Sequence, residues 1–106
     1  MKEISVVQLK ALLDAGTAPK VIDVRETWEF ETDHIEAENI PLATLPEHLS
    51  ALAEYKDKDL ILACRSGGRS GRATQYLMQQ GFTNVMNLSG GMLAWKTFVD
   101  PKFDVE

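Results

Sequence analysis

A single cysteine followed by closely spaced arginines and glycines is the part of the sequence best suited to chemistry. Cys64 is the only cysteine among 106 residues, and Arg65, the pair Gly67 and Gly68, and Arg69 follow it. Glycines allow successive backbone N–H groups to turn toward one point, and guanidinium groups add positive charge. Such surroundings lower the pKa of a thiol. The segment therefore predicts a nucleophilic thiolate in a loop that also binds a small anion.

The alternative is that Cys64 is inert, since a lone cysteine after an apolar strand is often only a small buried hydrophobe. An inert cysteine, however, does not need arginines at the first and fifth following positions with two glycines between them. Three of the four arginines of the chain, Arg65, Arg69 and Arg72, lie within eight residues after Cys64. This clustering favours a reactive thiol.

Composition and charge argue against several other kinds of site. One cysteine and two separated histidines, His34 and His48, cannot build an intramolecular disulfide or a cysteine-based metal centre, so we expect no such metal site. A net charge of −5 disfavours a partner as anionic as nucleic acid. The longest apolar run ends at Cys64 and is too short to span a membrane, and the first residues do not resemble a secretory signal. We therefore expect a cytoplasmic protein without a membrane partner.

The elements that would position Cys64 alternate between strand and helix. The apolar segment 59–63 predicts a strand buried on both faces, which places Cys64 at its carboxyl end. Two capping boxes, Ser5-x-x-Gln8 and Thr44-x-x-Glu47, predict helix starts. The remaining predictions are strands at 20–24, 39–42 and 84–88, and helical segments at 6–15, 27–31, 44–55, from the turn 65–69 to Gly81, and 91–98, with no clear signal in 99–106.

This alternation predicts an α/β fold, a three-layer sandwich in which helices cover both faces of a mostly parallel sheet. No repeat or linker interrupts the pattern, so we expect one domain over residues 1–106. Ligands of such sheets bind outside the carboxyl ends of the strands, where Cys64 is placed.

Four segments, in the right order, resemble the motifs of the rhodanese-like sulfurtransferases. They are residues 21–26, residues 29–42 with the pairs Glu29-Phe30 and His34-Ile35, the cysteine loop 64–70, and Leu88-Ser89-Gly90-Gly91 with Ala94-Trp95. The resemblance implies a rhodanese-like domain with a five-stranded sheet and with the cysteine at the base of a shallow pocket.

The resemblance also implies a reaction. In that family a cysteine thiolate takes the sulfane sulfur of thiosulfate, sulfite leaves, and a persulfide remains for cyanide or a thiol acceptor, with an acceptor protein as a further option. This is covalent nucleophilic catalysis and implies ping-pong kinetics without a metal or organic cofactor.

Roles carry over by position. Cys64 matches the nucleophile, and Asp23 and Arg25 match a polar support near the loop. The substrate-binding loop comprises Arg65, Ser66, Gly67, Gly68 and Arg69. Within it we expect the two arginines to attract thiosulfate, and the Ser66 hydroxyl to donate a hydrogen bond to the persulfide.

One position departs from the family pattern, and two rival functions stay open. Asp33 stands where the family usually has glycine, and we expect it to tolerate a left-handed backbone at small cost. A cysteine phosphatase is disfavoured, because related phosphatases place arginine six positions after the cysteine, whereas Arg69 follows Cys64 by five. The second rival is a persulfide carrier that delivers sulfur to a partner protein.

Overall fold

The computed structural model describes residues 1–106, and a five-stranded parallel sheet forms its centre. The strands in chain order are β1 (Lys2–Ile4), β2 (Lys20–Asp23), β3 (Glu38–Asn39), β4 (Leu60–Ala63) and β5 (Val85–Leu88). Their order across the sheet is β1-β5-β4-β2-β3, and every neighbouring pair is parallel. The predicted α/β fold with a parallel sheet is therefore confirmed.

Helices connect the strands and cover both faces of the sheet. The α-helices are α1 (Val6–Asp14), α2 (Thr27–Thr32), α3 (Leu49–Leu52), α4 (Gly68–Gln79) and α5 (Gly91–Phe98), and two 3₁₀ segments (Leu42–His48 and Ala53–Tyr55) flank α3. None of these helices combines the length and apolarity that crossing a membrane requires.

The core lies in two layers because the side chains of a strand alternate between the faces of a sheet. Leu60, Leu62 and Cys64 belong to the layer that also contains residues of α3 and α4. Ile61 and Ala63 belong to the opposite layer, with residues of α1 and α5. All four residues of β4 are fully buried, as the uninterrupted apolar run predicts for a central strand.

Two predictions about elements were incomplete or wrong. The short edge strand β1 was not predicted; only three residues long, it gives little periodic signal. The helix predicted over 44–55 is mainly 3₁₀, with Pro46 inside its first segment. Thr44 does not cap a helix, because its hydroxyl donates to the Pro41 carbonyl at 2.9 Å.

The segment after α5 folds back onto the sheet layer, which the sequence did not predict. Phe103 is buried, and its carbonyl accepts a hydrogen bond from Lys96 Nζ at 3.0 Å. Asp33 Oδ2 accepts from the Asp104 N–H at 3.0 Å. The expected left-handed backbone at Asp33 is wrong: its φ of −164° is extended, a conformation that every residue adopts.

Candidate active site

The cysteine loop begins where β4 ends, and its shape depends on one glycine. Gly67 has a φ of +105°, which an L side chain rarely adopts, and α4 begins at the next residue. This turn directs the Gly67 N–H to Cys64 Sγ at an N···S distance of 3.0 Å. A backbone donor therefore faces the sulfur, as the glycine pattern predicted.

A side-chain donor also faces the sulfur, and the sequence analysis did not name it. Ser70 is fully buried, and its Oγ lies 3.3 Å from Cys64 Sγ. Ser66, for which the family resemblance implies such a role toward the persulfide, is exposed. The spacing could have indicated this role of Ser70. In a helix that begins at Gly68, Ser70 lies in the first turn, close to the end of the preceding strand.

These contacts determine the acidity of Cys64. Burial raises the pKa of the thiol, but hydrogen bonds from the Ser70 hydroxyl and from the Ser70, Gly67 and Ser66 amides outweigh burial, so the pKa lies below its ordinary value. The thiolate fraction at neutral pH is correspondingly larger than for a free cysteine.

A second residue that the sequence analysis missed lies behind Ser70. Asn87 on β5 is 5% exposed, and its Oδ1 accepts from Ser70 Oγ at 2.5 Å. Its Nδ2 donates to the Gly67 carbonyl at 3.1 Å. Asn87 thus contacts both residues that present donors to Cys64, although it is distant from them in sequence.

Two arginines of the loop have hydrogen-bond partners within the protein. Arg69 forms a two-pronged ion pair with Glu29 on α2, with N···O distances of 2.6 and 2.9 Å. The pair lowers the pKa of Glu29 and raises the pKa of Arg69. Arg65 is exposed, and its Nε donates to the Glu106 carbonyl.

Beside Arg65 lies a cavity of about 290 Å³. Its lining also includes Arg25, Trp28, Glu29 and Thr32, together with residues 104–106. Trp28 is 66% exposed, although a tryptophan side chain gains a large free energy from burial of its apolar area. The cavity is therefore a mostly polar opening next to the cysteine loop, with Trp28 as its one aromatic lining residue.

Asp23 and Arg25 form a buried ion pair at the end of β2. Both side chains are at most 1% exposed, and Arg25 Nε and Nη2 reach Asp23 Oδ2 at 3.0 and 2.8 Å. Arg25 Nη2 also donates to the Asp33 carbonyl at 2.8 Å. The pair therefore ties the end of β2 to the segment after α2.

The closing motif supports the loop from the other side. The N–H groups of Met92 and Leu93, in the first turn of α5, donate to the carbonyls of Cys64 and Arg65, both at 2.9 Å. Gly91 has a φ of +56°, and a methyl group there would lie 2.7 Å from the Arg65 carbonyl oxygen. Only glycine permits this approach of α5 to the cysteine loop.

Comparison with known proteins agrees with this arrangement. Residues 5–98 match the model of the rhodanese-like domain. The chain belongs to the rhodanese-like family. The match spans every strand except β1, and all five α-helices.

Members of the rhodanese-like family that resemble this chain carry sulfurtransferase names. The chain is 41% identical over 103 residues to "Putative sulfurtransferase YtwF" of Bacillus subtilis. This alignment covers 96% of this chain and 97% of that protein. The chain is 39% identical over 104 residues to "Adenylyltransferase and sulfurtransferase MOCS3-1" of Zea mays, of which it spans only 22% while 92% of this chain is covered.

A solved rhodanese-like structure agrees as well. The chain superimposes on "Human Single Domain Sulfurtransferase TSTD1" with a TM-score of 0.80 and 27% identity, covering 92% of this chain and 97% of that one. The rhodanese-like three-layer fold and the sulfurtransferase family are thereby established for this chain.

Proposed function

We propose that this chain transfers a sulfane sulfur from thiosulfate, or from a related anionic donor, to cyanide or a thiol through a persulfide on Cys64. In the first step the Cys64 thiolate attacks the outer sulfur of thiosulfate, a new S–S bond forms, and sulfite leaves with the electron pair of the old bond. In the second step the acceptor attacks the outer sulfur of the persulfide, and the pair returns to Sγ. This is covalent catalysis by an activated nucleophile.

The observation that carries the proposal is the pair of donors on Cys64 Sγ. The Gly67 N–H and the Ser70 hydroxyl lie 3.0 and 3.3 Å from the sulfur, and their hydrogen bonds lower the pKa of the thiol. A sulfur transfer that starts from a thiolate requires such stabilisation, and the same donors stabilise the thiolate that leaves in the second step.

The charges near the loop support an anionic donor. Arg65 is exposed and lines the cavity. Arg69, in the same loop, is paired with Glu29, which also lines the cavity. We propose that Arg65, Ser66, Gly67, Gly68 and Arg69 bind the donor, and that the buried pair of Asp23 and Arg25 supports the loop.

The single cysteine supports an external acceptor. A persulfide on Cys64 has no second thiol within these 106 residues that could resolve it as an intramolecular disulfide. The sulfur must therefore leave to a separate nucleophile, which cyanide or a thiol provides.

Intact-protein mass spectrometry tests the proposal. We expect the protein to gain one sulfur, about 32 Da from atomic composition, on incubation with thiosulfate, and to lose it on addition of cyanide while thiocyanate appears. Cys64→Ser is expected to stay folded and to gain no sulfur. A gain of mass in Cys64→Ser, or transfer activity without any gain in the native protein, would contradict the mechanism.

A persulfide carrier is the second candidate, and the exposure of Trp28 favours it. A tryptophan that is 66% exposed beside the cysteine loop is suited to contact with a protein surface. The distinguishing measurement is the rate of the second step: slow loss of sulfur to cyanide and small thiols, with fast loss to a protein acceptor, would identify a carrier.

A further inference from the structure

Asn87 contacts the cysteine site through both ends of its side-chain amide. Its Nδ2 donates to the Gly67 carbonyl at 3.1 Å, and its Oδ1 lies 2.5 Å from Ser70 Oγ. Because a carbonyl can only accept a hydrogen bond, the NH₂ group must face Gly67 and Oδ1 must face Ser70. Ser70 is therefore opposite an atom that can only accept.

The Ser70 hydroxyl has two acceptors within reach and only one proton. Asn87 Oδ1 lies at 2.5 Å and Cys64 Sγ at 3.3 Å. When Cys64 is a thiol, its S–H can donate to Ser70 Oγ while Ser70 donates to Asn87, and every group is satisfied. When Cys64 is a thiolate, Sγ can only accept, and the two acceptors compete for the same proton.

We propose that Asn87 is a positioning residue that keeps the Ser70 hydroxyl proton directed away from Cys64 until negative charge resides on Sγ. The hydroxyl then rotates about its Cβ–Oγ bond and donates to the sulfur. No proton leaves Ser70, and no further reactant is needed. Such a rotation is possible because a hydroxyl can redirect its hydrogen without moving a heavy atom.

The consequence for sulfur transfer rests on the proposed function. In a persulfide the negative charge lies on the outer sulfur, so Sγ needs no donor and Ser70 donates to Asn87. When an acceptor attacks the outer sulfur, the S–S bond breaks, its electron pair goes to Sγ, and the Ser70 hydroxyl turns to the departing thiolate. The hydrogen bond therefore strengthens as charge develops, which is the condition for lowering a barrier.

A simpler role for Asn87 predicts the opposite coupling. If Asn87 only held Ser70 in the orientation that serves the thiolate, removing Asn87 would weaken the effect of Ser70 on Cys64. If Asn87 competes for the proton, removing it makes Ser70 a better donor to the thiolate. A double-mutant cycle distinguishes these cases.

The cycle compares the native protein, Ser70→Ala, Asn87→Leu and the double variant. The readout is the rate at which iodoacetamide alkylates Cys64 as a function of pH, which reports the thiolate fraction. Cys64 is the only cysteine, so the signal has one source. Alkylation requires no sulfur donor, so the result stands even if the protein transfers no sulfur, and failure of the proposed function is recognised separately by mass.

At a pH below the thiol pKa, we expect Ser70→Ala to slow alkylation about threefold in the native background and about tenfold in the Asn87→Leu background, as removal of a donor to a charged group allows. Asn87→Leu and the double variant both lose the hydrogen bond from Asn87 to the Gly67 carbonyl, so this loss does not affect the ratio of their alkylation rates. An equal or smaller effect in the Asn87→Leu background would overturn the proposal.

The charged groups around Cys64 are unchanged throughout the cycle. These groups are Arg65, the ion pair between Arg69 and Glu29 of α2, and the ion pair between Asp23 and Arg25 at the end of β2. Asn87 forms a hydrogen bond to none of them, because its partners are Ser70 and Gly67. Circular dichroism and thermal melting establish that each variant folds. If Asn87→Leu does not fold, Asn87→Met gives the same comparison with a more adaptable side chain.

Infrared spectroscopy provides a measurement that leaves Asn87 intact. At low pH we expect the S–H stretch of the native protein to lie at lower frequency than that of Ser70→Ala, because the thiol proton donates to Ser70 Oγ while Ser70 donates to Asn87. Equal frequencies in the two proteins would contradict the arrangement.

Discussion

The pair formed by Arg69 and Glu29 joins the cysteine loop to α2. Glu29 neutralises the arginine that an anionic donor would otherwise meet, with both N···O distances at or below 2.9 Å. The structure thus gives Arg69 a carboxylate partner that the sequence analysis did not name. Binding of an anion in the loop must compete with a carboxylate already in place.

This competition predicts opposite effects of two substitutions on the KM for thiosulfate. We expect Glu29→Gln to lower KM about threefold, because Arg69 keeps its charge and loses its partner, and Arg69→Ala to raise KM about tenfold. Steady-state kinetics checks both. Asp14→Asn on α1 is the matched control, since it removes one carboxylate from an exposed ion pair with Lys10. An equal fall of KM in Asp14→Asn would show that the change in net charge, and not the release of Arg69, causes the effect.

The same pair predicts a pH dependence of stability. Arg69 lowers the pKa of Glu29 in the folded protein, so the contribution of Glu29 is fully present above its unfolded pKa of about 4.3 and is lost as the pH falls through the lower folded value. We expect Glu29→Gln to cost about 1 kcal/mol at pH 7 and less at pH 3. Urea unfolding at both pH values measures the difference, and a constant cost would refute this assignment.

At the scale of elements, the approach of α5 to the cysteine loop controls the site. The first turn of α5 donates to the carbonyls of Cys64 and Arg65, and Gly91 lies directly against the Arg65 backbone. A side chain there would displace the backbone that carries the nucleophile, since both neighbours are main-chain atoms.

We therefore expect Gly91→Ala to reduce the free energy of unfolding by about 3 kcal/mol and to reduce sulfur transfer at least tenfold, from strain at positive φ plus a main-chain clash. Gly16→Ala is the control, because Gly16 also has a positive φ of +72° but nothing lies within 4 Å of its added methyl group. Its expected cost is about 1 kcal/mol without loss of activity. Chemical unfolding and the persulfide assay measure both; equal effects would exclude the clash.

Residues after α5 belong both to one core layer and to the lining of the cavity. Phe103 is 3% exposed and packs in the layer with residues of α1 and α5. Asp104 is held by Asp33, and Glu106 by Arg65. The chain end therefore links the core to the opening beside the cysteine loop.

Truncation of Phe103 tests this link. We expect Phe103→Ala to lower the free energy of unfolding by about 3–4 kcal/mol, because a buried aromatic side chain is lost and a cavity remains. Phe98→Ala is the control, since Phe98 is 69% exposed, and its effect should stay within about 0.5 kcal/mol. Denaturant unfolding compares the two. Similar costs would show that the segment after α5 does not contribute to the core.

Residue order alone predicts the alternating fold, the central position of β4 and the place of Cys64 at its end, because apolar periodicity and glycine turns are local signals. It also determined the backbone donors of the loop, since Gly67 requires positive φ where it stands. The motifs in residues 21–26, 29–42, 64–70 and 88–95 are also local, and they suffice to indicate the family.

The side chains that complete the site are brought together only in the packed fold. Asn87 and Glu29 are separated from Cys64 by many residues, and a sequence pattern carries no signal for contacts that form when strands and helices pack. The same reason explains why Arg69 is paired rather than free. Hydrogen-bond and ion-pair partners are determined by three-dimensional proximity, which local residue spacing does not encode.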